Sequence, residues 1–568
     1  MNAAALVLEA EEGGAAPYPP REGCKVTPLI EAAEMYPALE RAMLDAERSV
    51  WLAFRIFDPL TRLRSDEARA LGLGTWLDLI EHCAHRGVGV RVLLTDFEPV
   101  MAHALHAGSW SSFNALQKRF AGLPEAERKR FQMMVIQHEG EVGWGWRQLL
   151  RVGLRFRIRR LVTELIDTIT DEDDPIAARP GIWRYLHWEE DRPHRWRPGP
   201  PPRLWPATYH QKCAIVDASK AFVGGLDINE RRFDDADHDQ RADRTWHDIS
   251  ALIEGPVASD AARHFAQLWN RELPRFREIV GQWTDGSTRE LTLDPLEAAD
   301  EAAIADAPAA GGATVQLART LSRASARAFA FGPIPDIREL REAYRRLFGA
   351  ARRRLYIETQ FFRAIEAADW LIAALRANPE LEIIILVANV PEEIAFEGAG
   401  GNPAHRHGEY LQARALSRLL RAGGLDRVGL FTLAKQEAVR RSERRFARRR
   451  GTAFGSGLIH IHAKLVIADD DACLISSANI NGRSLQWDTE LGFIWSGDAT
   501  IAAFRDDLWS QLSAGELDGS ATLADWRSAA EFNRTAEPDD RRGFVVPYQR
   551  SRAARFGVPH WWVPDSFV

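Results

Sequence analysis

Hydrophobic and polar positions along the chain switch repeatedly between two periods. A helical pattern runs from Pro28 to Arg48, and a strand-like apolar run follows from Ser49 to Phe57. Trp76 to Arg86 reads as a helix and Val88 to Thr95 as a strand. Strand, helix, strand predicts an α/β fold with a mostly parallel sheet flanked by helices. From about residue 137 to 205 the pattern breaks. This stretch is rich in Arg and Trp, ends near Pro198–Pro202, and reads as an insertion on the scaffold. A second scaffold segment runs from Tyr209 to about Trp283. Residues 291–312 are rich in Ala, Asp and Gly and read as a linker. The pattern then restarts: a helix over Ile337–Ala351, strands over Arg354–Phe362 and Leu381–Val390, and two strands between Gly457 and Ile475.

The restart is an internal repeat. Val50–Phe57 parallels Leu355–Phe362 at an offset of 305, and Tyr209–Asn229 parallels Ile461–Asn481 at an offset of 252. A repeat this long predicts a duplicated lobe rather than a solenoid. The expected organisation is a flexible tail (1–24), an N-terminal lobe (25–290), the linker, a C-terminal lobe (313–515) and a C-terminal extension (516–568). The two lobes are expected to pack about a pseudo-twofold and share one active site.

Composition narrows the picture. Of 568 residues, 46% are hydrophobic and 27% charged, which excludes a disordered chain, a collagen or a coiled coil. The net charge is 73 − 80 = −7, unlike a protein that coats nucleic acid. No apolar run reaches the roughly 18 residues of a membrane span. Met1–Gly14 has no basic start and carries Glu9, Glu11 and Glu12, so no secretory signal is expected. Cys24, Cys83, Cys213 and Cys473 form no CxxC pair, so neither a disulfide framework nor a zinc site is expected. The expectation is a cytoplasmic monomer, peripherally associated with membranes, with no cofactor and no metal.

Candidate chemistry lies in the repeat. His210-Gln211-Lys212 followed by Asp217 reads H-x-K-x4-D, and His462-Ala463-Lys464 followed by Asp469 reads the same. Chance at this composition yields on the order of 0.01 such matches, and two are far rarer. Apolar strand runs follow each motif, at Cys213–Val216 and Leu465–Ala468. In a strand, residues i and i+2 share a face, so each His points with its Lys. Lobes packed about a pseudo-twofold would bring two His and two Lys into one pocket. Such a set suits phosphodiester chemistry. Two ammonium groups can hold non-bridging oxygens and stabilise developing charge. One imidazole can attack phosphorus, and the other can protonate the leaving oxygen and then deprotonate an acceptor.

On these residues the chain resembles the phospholipase D superfamily, whose signature is a duplicated HKD motif, and within it the phosphatidylcholine-type phospholipases D. The resemblance covers roughly residues 25–515. It extends to Tyr209–Asp227, to Thr245-Trp246-His247-Asp248-Ile249, to Tyr356-Ile357-Glu358-Thr359-Gln360-Phe361-Phe362 and to Ile461–Ser484. It implies that His210 is the nucleophile and His462 the acid/base. It implies further that Lys212, Lys464 and Asn479 bind phosphate, and that Asp248 and Glu490 hydrogen-bond the imidazoles. Asp217 and Asp469 complete the catalytic motifs as residues that tie down loops. Asp227 occupies the place of Asn479 in the first lobe. The implied reaction is hydrolysis of the head-group phosphodiester of a glycerophospholipid through a phosphohistidine. Water is the acceptor, or an alcohol in transphosphatidylation. The alternatives are a cardiolipin-synthase-like phosphatidyltransferase and a nuclease of the same superfamily, though no nucleic-acid partner is expected.

Two basic stretches bear on the substrate. In Arg147–Arg160, Leu150, Leu154, Ile158 and Leu161 share one helical face, and Arg147, Arg151, Arg155 and Arg159 share another. That pattern suggests an anionic membrane surface. Trp183, Trp188, Trp196 and Trp205 follow, fitting either a membrane interface or ordinary packing. Arg440–Arg450 fits lipid headgroups, nucleic acid or a solvated helix face.

Overall fold

The computed structural model describes residues 7–9, 16–170, 174–189, 192–241, 243–283, 291, 296–391, 402–439 and 451–568. Arg440–Arg450 therefore lies outside the described residues. Seven strands build the first half: β1 (Arg21–Ile30), β2 (Ser49–Phe54), β3 (Gly89–Thr95), β4 (Phe131–Ile136), β5 (Cys213–Val216), β6 (Lys220–Gly224) and β7 (Ile249–Glu254). Seven more build the second: β8 (Ala313–Arg323), β9 (Arg354–Thr359), β10 (Glu382–Val387), β11 (Val428–Ala438), β12 (Lys464–Ala468), β13 (Ala472–Ser476) and β14 (Glu490–Ser496).

The spatial order in the first half is β4-β3-β2-β5-β6-β7-β1. In the second it is β11-β10-β9-β12-β13-β14-β8. Strand for strand, the two orders and directions agree. β1 and β8 pair antiparallel and join the halves. The parallel sheet expected from sequence is confined to three strands per half, where helical crossovers connect them. The remaining neighbours are antiparallel, because short turns join β5 to β6 and β12 to β13. Each turn contains two successive left-handed residues, Asp217–Ala218 (φ 53° and 55°) and Asp469–Asp470 (φ 51° and 62°).

Helices cover both faces, which is why the parallel strands read as unbroken apolar runs. α1 (Glu31–Leu44), α2 (Trp76–His85), α3 (His103–Ala121), α4 (Trp144–Ile166) and α5 (Pro256–Trp283) belong to the first half. α6 (Glu339–Ala350), α7 (Ile365–Ala377), α8 (Pro403–Arg427), α9 (Thr500–Ser513) and α10 (Leu523–Thr535) belong to the second. α2 is started by a capping box between Thr75 and Asp78. One hydrophobic cluster runs without interruption from Val50, Val92 and Trp269 to Phe493, Trp509 and Trp526, so the halves share a core.

Two expectations need correction. Pro28–Ile30 continue β1 rather than a helix, because their backbone pairs with β7. Order begins before residue 25: Leu8 is buried and its N–H bonds Gln316 Oε1 at 2.9 Å, and β1 starts at Arg21. The C-terminal extension packs on the second half, with Val545–Pro547 pairing with β11 and Trp526 meeting Trp509 edge-on and Tyr356 at a tilt.

The Arg/Trp-rich insertion forms α4, a short hairpin (Leu186–Glu189 with Arg192–Trp196) and a satellite core. Leu154, Ile158 and Leu161 face inward onto Trp183 and Tyr185 in that cluster. Trp188 and Trp196 pack against it, so Trp183, Trp188 and Trp196 serve packing. No helix among the described residues is long and apolar enough to cross a membrane.

Candidate active site

The two motifs enter the site just ahead of β5 and β12, in extended segments anchored by the opposite half. His210 N–H donates to Thr489 O at 2.9 Å, and His462 N–H donates to His247 O at 2.8 Å. His460–Ile461 pairs in parallel with Trp246–His247. Lys212 Nζ lies 3.2 Å from His210 Nε2, so the shared-face expectation from sequence matches the geometry.

Each histidine is oriented by a carboxylate of the other half. His210 Nδ1 lies 2.9 and 3.1 Å from the two Glu490 oxygens, and His462 Nδ1 lies 2.6 Å from Asp248 Oδ2. A carboxylate at Nδ1 fixes the tautomer, with the N–H at Nδ1 and the lone pair at Nε2. All these groups are buried. Burial, with Lys212 and Lys464 adding to it, holds both imidazoles well below the usual histidine range, so both are neutral. Burial also lowers Lys212 to about 8 and Lys464 to about 7, while it raises Asp248 to about 6 and Glu490 to about 8.

The remaining motif residues divide. Asn479 is buried, and its Nδ2 donates to Gln360 Oε1 at 3.4 Å. Asp217 and Asp469 do not reach the histidines. Each sits in its hairpin turn and accepts three successive backbone N–H groups: Glu47, Arg48 and Ser49 for Asp217, and Arg352, Arg353 and Arg354 for Asp469. Their membership of the catalytic set is corrected to a purely structural one, since carboxylates committed to backbone donors at the far strand end cannot touch substrate. Asp227 likewise accepts from Arg55 N and Ile56 N.

Sequence reasoning missed a buried chain behind Asp248. His247 bonds Glu31 through Nδ1 and Glu358 Oε2 through Nε2 at 2.8 Å. Tyr356 donates to the other Glu358 oxygen at 2.5 Å, and Glu31 Oε2 accepts Asp248 N–H at 3.1 Å. Glu31 opens α1 with a φ of 62°, rare for a residue with a side chain. Burial opposes charge on His247, but Glu31 and Glu358 outweigh it and push the imidazole well above the usual range. His247 and Glu358 stand within the conspicuous segments Thr245–Ile249 and Tyr356–Phe362, yet nothing in their spacing announces the pairing. Among the described residues, Glu31, His238 and His247 form the one group with metal-ligand chemistry, their ligand atoms within 4.8 Å of one another. Hydrogen bonds already engage them: His238 Nδ1 lies 2.8 Å from Asp234 Oδ2, and both His247 nitrogens are paired.

Gly225 shows how tightly Asp248 is held. A Cβ there would stand 2.1 Å from Asp248 Oδ1. Gly225→Ala is expected to displace the carboxylate from His462 and lower kcat by about 10²-fold, with a smaller change in KM. Steady-state kinetics check it; an unchanged kcat would show that the carboxylate does not position His462.

Residues 344–512 match the family model described as "Cardiolipin synthase, PLD-like domain". Phospholipase D1 of Mus musculus is 28% identical over 292 residues, covering 46% of this chain and 25% of the relative. Phospholipase D2 of Bos taurus is 26% identical over 536 residues, covering 84% of this chain and 50% of the relative. The matches thus span about a quarter to a half of these relatives' lengths. Among solved structures, phosphatidylserine synthase of Haemophilus influenzae aligns with a TM-score of 0.45 at 14% identity, covering 86% of this chain and 85% of that one.

Proposed function

We propose, from the premise that this chain belongs to the phospholipase D superfamily, that it cleaves the head-group phosphodiester of glycerophospholipids through a phosphohistidine. The observation that carries the reading is the exchange of carboxylates, with His210 on Glu490 and His462 on Asp248, around two buried lysines. Lys212, Lys464 and Asn479 take the phosphate oxygens. His210 Nε2 forms the N–P bond as the P–O bond to the head alcohol breaks, and His462, which takes up a proton from solvent at Nε2 as the anionic phosphate binds, delivers that proton to the departing oxygen. His462 then accepts a proton from water or an alcohol, whose oxygen displaces the histidine and gives phosphatidic acid or a phosphatidylalcohol.

A second reading, phosphatidyl transfer of the cardiolipin-synthase kind, is favoured by the description of the family model matched at residues 344–512. It differs only in the acceptor. Product analysis on mixed phospholipid vesicles containing a short primary alcohol separates the readings, with DNA cleavage assayed in parallel. Phosphatidic acid with phosphatidylalcohol supports the hydrolase. Lipid transfer without hydrolysis favours the transferase. DNA cleavage without lipid turnover overturns both.

The membrane contact falls on a different face of α4 from the one its leucine stripe suggests. Leu149, Val152 and Phe156 are 67%, 66% and 69% exposed, beside Trp144 and Phe329, which are also exposed. Arg151, Arg155, Arg157, Arg159 and Arg160 flank them, which suits an anionic bilayer. Leu149→Glu/Phe156→Glu is expected to cut binding to phosphatidylglycerol vesicles about tenfold or more, with turnover of a soluble diester unchanged. Sedimentation checks it; undiminished binding would place the contact elsewhere.

A further inference from the structure

Residues 557–568 cross the start of α8 as a strap pinned at several points. Val558 N–H donates to Arg406 O at 3.0 Å, and His560 N–H donates to His407 Nδ1 at 3.1 Å. His407 Nε2 lies 2.9 Å from Asp565 Oδ1, so one imidazole holds both arms of the strap. Val563 and Val568 are buried with Leu411 of α8. Between His560 and Val563 the chain turns outward. Trp561 is 95% exposed, more than any other large hydrophobic residue among those described, and Trp562 is 52% exposed. Anchors on both sides fix the backbone, so the exposure of the two indoles is built into the fold.

Their surroundings identify what covers them. Arg550 and Arg555 are exposed on the short helix Arg550–Phe556 that leads into the strap. The strap's one acidic residue, Asp565, is engaged by His407. Arginines beside paired indoles match the interface of an anionic bilayer, where the ring body meets acyl carbons and the N–H meets headgroups and water.

The strap also continues the exposed apolar surface of α4. Phe567 meets Phe331 edge-on, with ring centres 5.4 Å apart. Phe329, on the same loop, is exposed, and its carbonyl accepts a hydrogen bond from Trp146 Nε1 of α4 at 2.9 Å. The aromatic series therefore passes from the first half to the second. Behind it lies the catalytic pocket. The strap closes on Gly482, where a Cβ would stand 2.6 Å from Asp565 O. Gly482 follows closely on Asn479, and its neighbour Arg483 donates to Thr208 Oγ1 at 3.2 Å, just ahead of His210.

We propose that Trp561 and Trp562 form a bilayer anchor on the second half, seating their indoles in the interface of an anionic membrane beside the catalytic pocket. The proposal rests on the lipid reading above and goes beyond the α4 contact. One contact on each half holds the protein in a single orientation, with the Asn479 side of the pocket toward the lipid.

The test follows residue 561 directly. Trp561→Cys is labelled with nitrobenzoxadiazole, which is selective because all four native cysteines are buried. Equimolar vesicles of phosphatidylcholine and phosphatidylglycerol are expected to shift the label's emission to the blue. Phosphatidylcholine carrying a doxyl group high on its acyl chain is expected to quench it. Trp562→Cys, labelled in the same way, repeats the measurement if Trp561→Cys does not fold. Trp561→Ser/Trp562→Ser is expected to lose about tenfold or more in affinity for these vesicles and to keep wild-type turnover of bis(4-nitrophenyl) phosphate. A label that stays in water while the protein sediments with vesicles would overturn the anchor and leave the α4 contact standing. So would a double variant that binds vesicles as the wild type does. A dimer in light scattering that the double variant splits, with vesicle binding undiminished, would overturn the anchor in favour of a contact between two copies. A wild type that hydrolyses the nitrophenyl diester but neither binds vesicles nor turns over phospholipid would overturn the lipid reading itself, a failure seen before any variant is made.

Discussion

Replacing His210 by alanine is expected to abolish turnover, with a loss on the order of 10⁴-fold or more, because in the proposed mechanism its Nε2 is the atom that forms the covalent intermediate. His462→Ala is expected to cost about 10²–10⁴-fold on lipids, whose head alcohols leave poorly without a proton. The two variants separate when the leaving group is changed. On a 4-nitrophenyl diester the departing oxygen needs no acid, so His462→Ala is expected to form the phosphoenzyme quickly and hydrolyse it slowly. Rapid mixing should then show a burst of nitrophenol and an alkali-stable, acid-labile phosphoryl group on His210. His210→Ala should show neither. Wild-type turnover by either variant would overturn the mechanism. A burst in His210→Ala and none in His462→Ala would exchange the two roles. The backbone bonds of His210 to Thr489 and of His462 to His247 remain in the alanine variants, which are expected to fold. Thermal melts provide the control.

The second large effect concerns stability. His247 is a buried imidazolium joining Glu31 of the first half to Glu358 of the second. His247→Leu removes the cation and leaves two buried carboxylates facing each other, which is expected to cost about 3–5 kcal/mol. Denaturant unfolding measures it. Glu31→Gln/His247→Leu/Glu358→Gln removes the stranded charges as well and is expected to recover most of the loss. No recovery would mean that His247 acts through packing rather than charge. The sign with pH follows from the raised pKa. Protonated His247 contributes its full stabilisation below the unfolded histidine value, and that contribution fades only as pH climbs through the higher folded value. The wild type therefore keeps this contribution at neutral pH, and the stability gap between wild type and His247→Leu should narrow only under alkaline conditions.

The chain's own text carried much of this. The doubled H-x-K-x4-D motif pointed to the proposed chemistry, because so specific a spacing rarely repeats by chance. The offsets of 305 and 252 announced two alike halves, and the structure has the same seven-strand order in each. Strand and helix positions around Trp76–Thr95 and Arg354–Val387 were legible because local periodicity and capping determine them. The motif aspartates were less legible. Asp217 and Asp469 share a motif with the histidines, yet their carboxylates hold the backbone beneath the hairpin turns.

What the sequence determined alone is a set of local facts: which residues carry reactive groups, which segments are strands, and that the pattern occurs twice. Only the tertiary structure decided the pairings. Glu490 serves His210 across 280 residues, and Asp248 serves His462 across 214. His247 reaches Glu358 across 111. The physical reason is the range of the forces. Propensity and periodicity act over a few residues and are written in the order of the chain. Desolvation and hydrogen bonding act between whatever groups packing brings together, and the shared core of the two halves makes that choice.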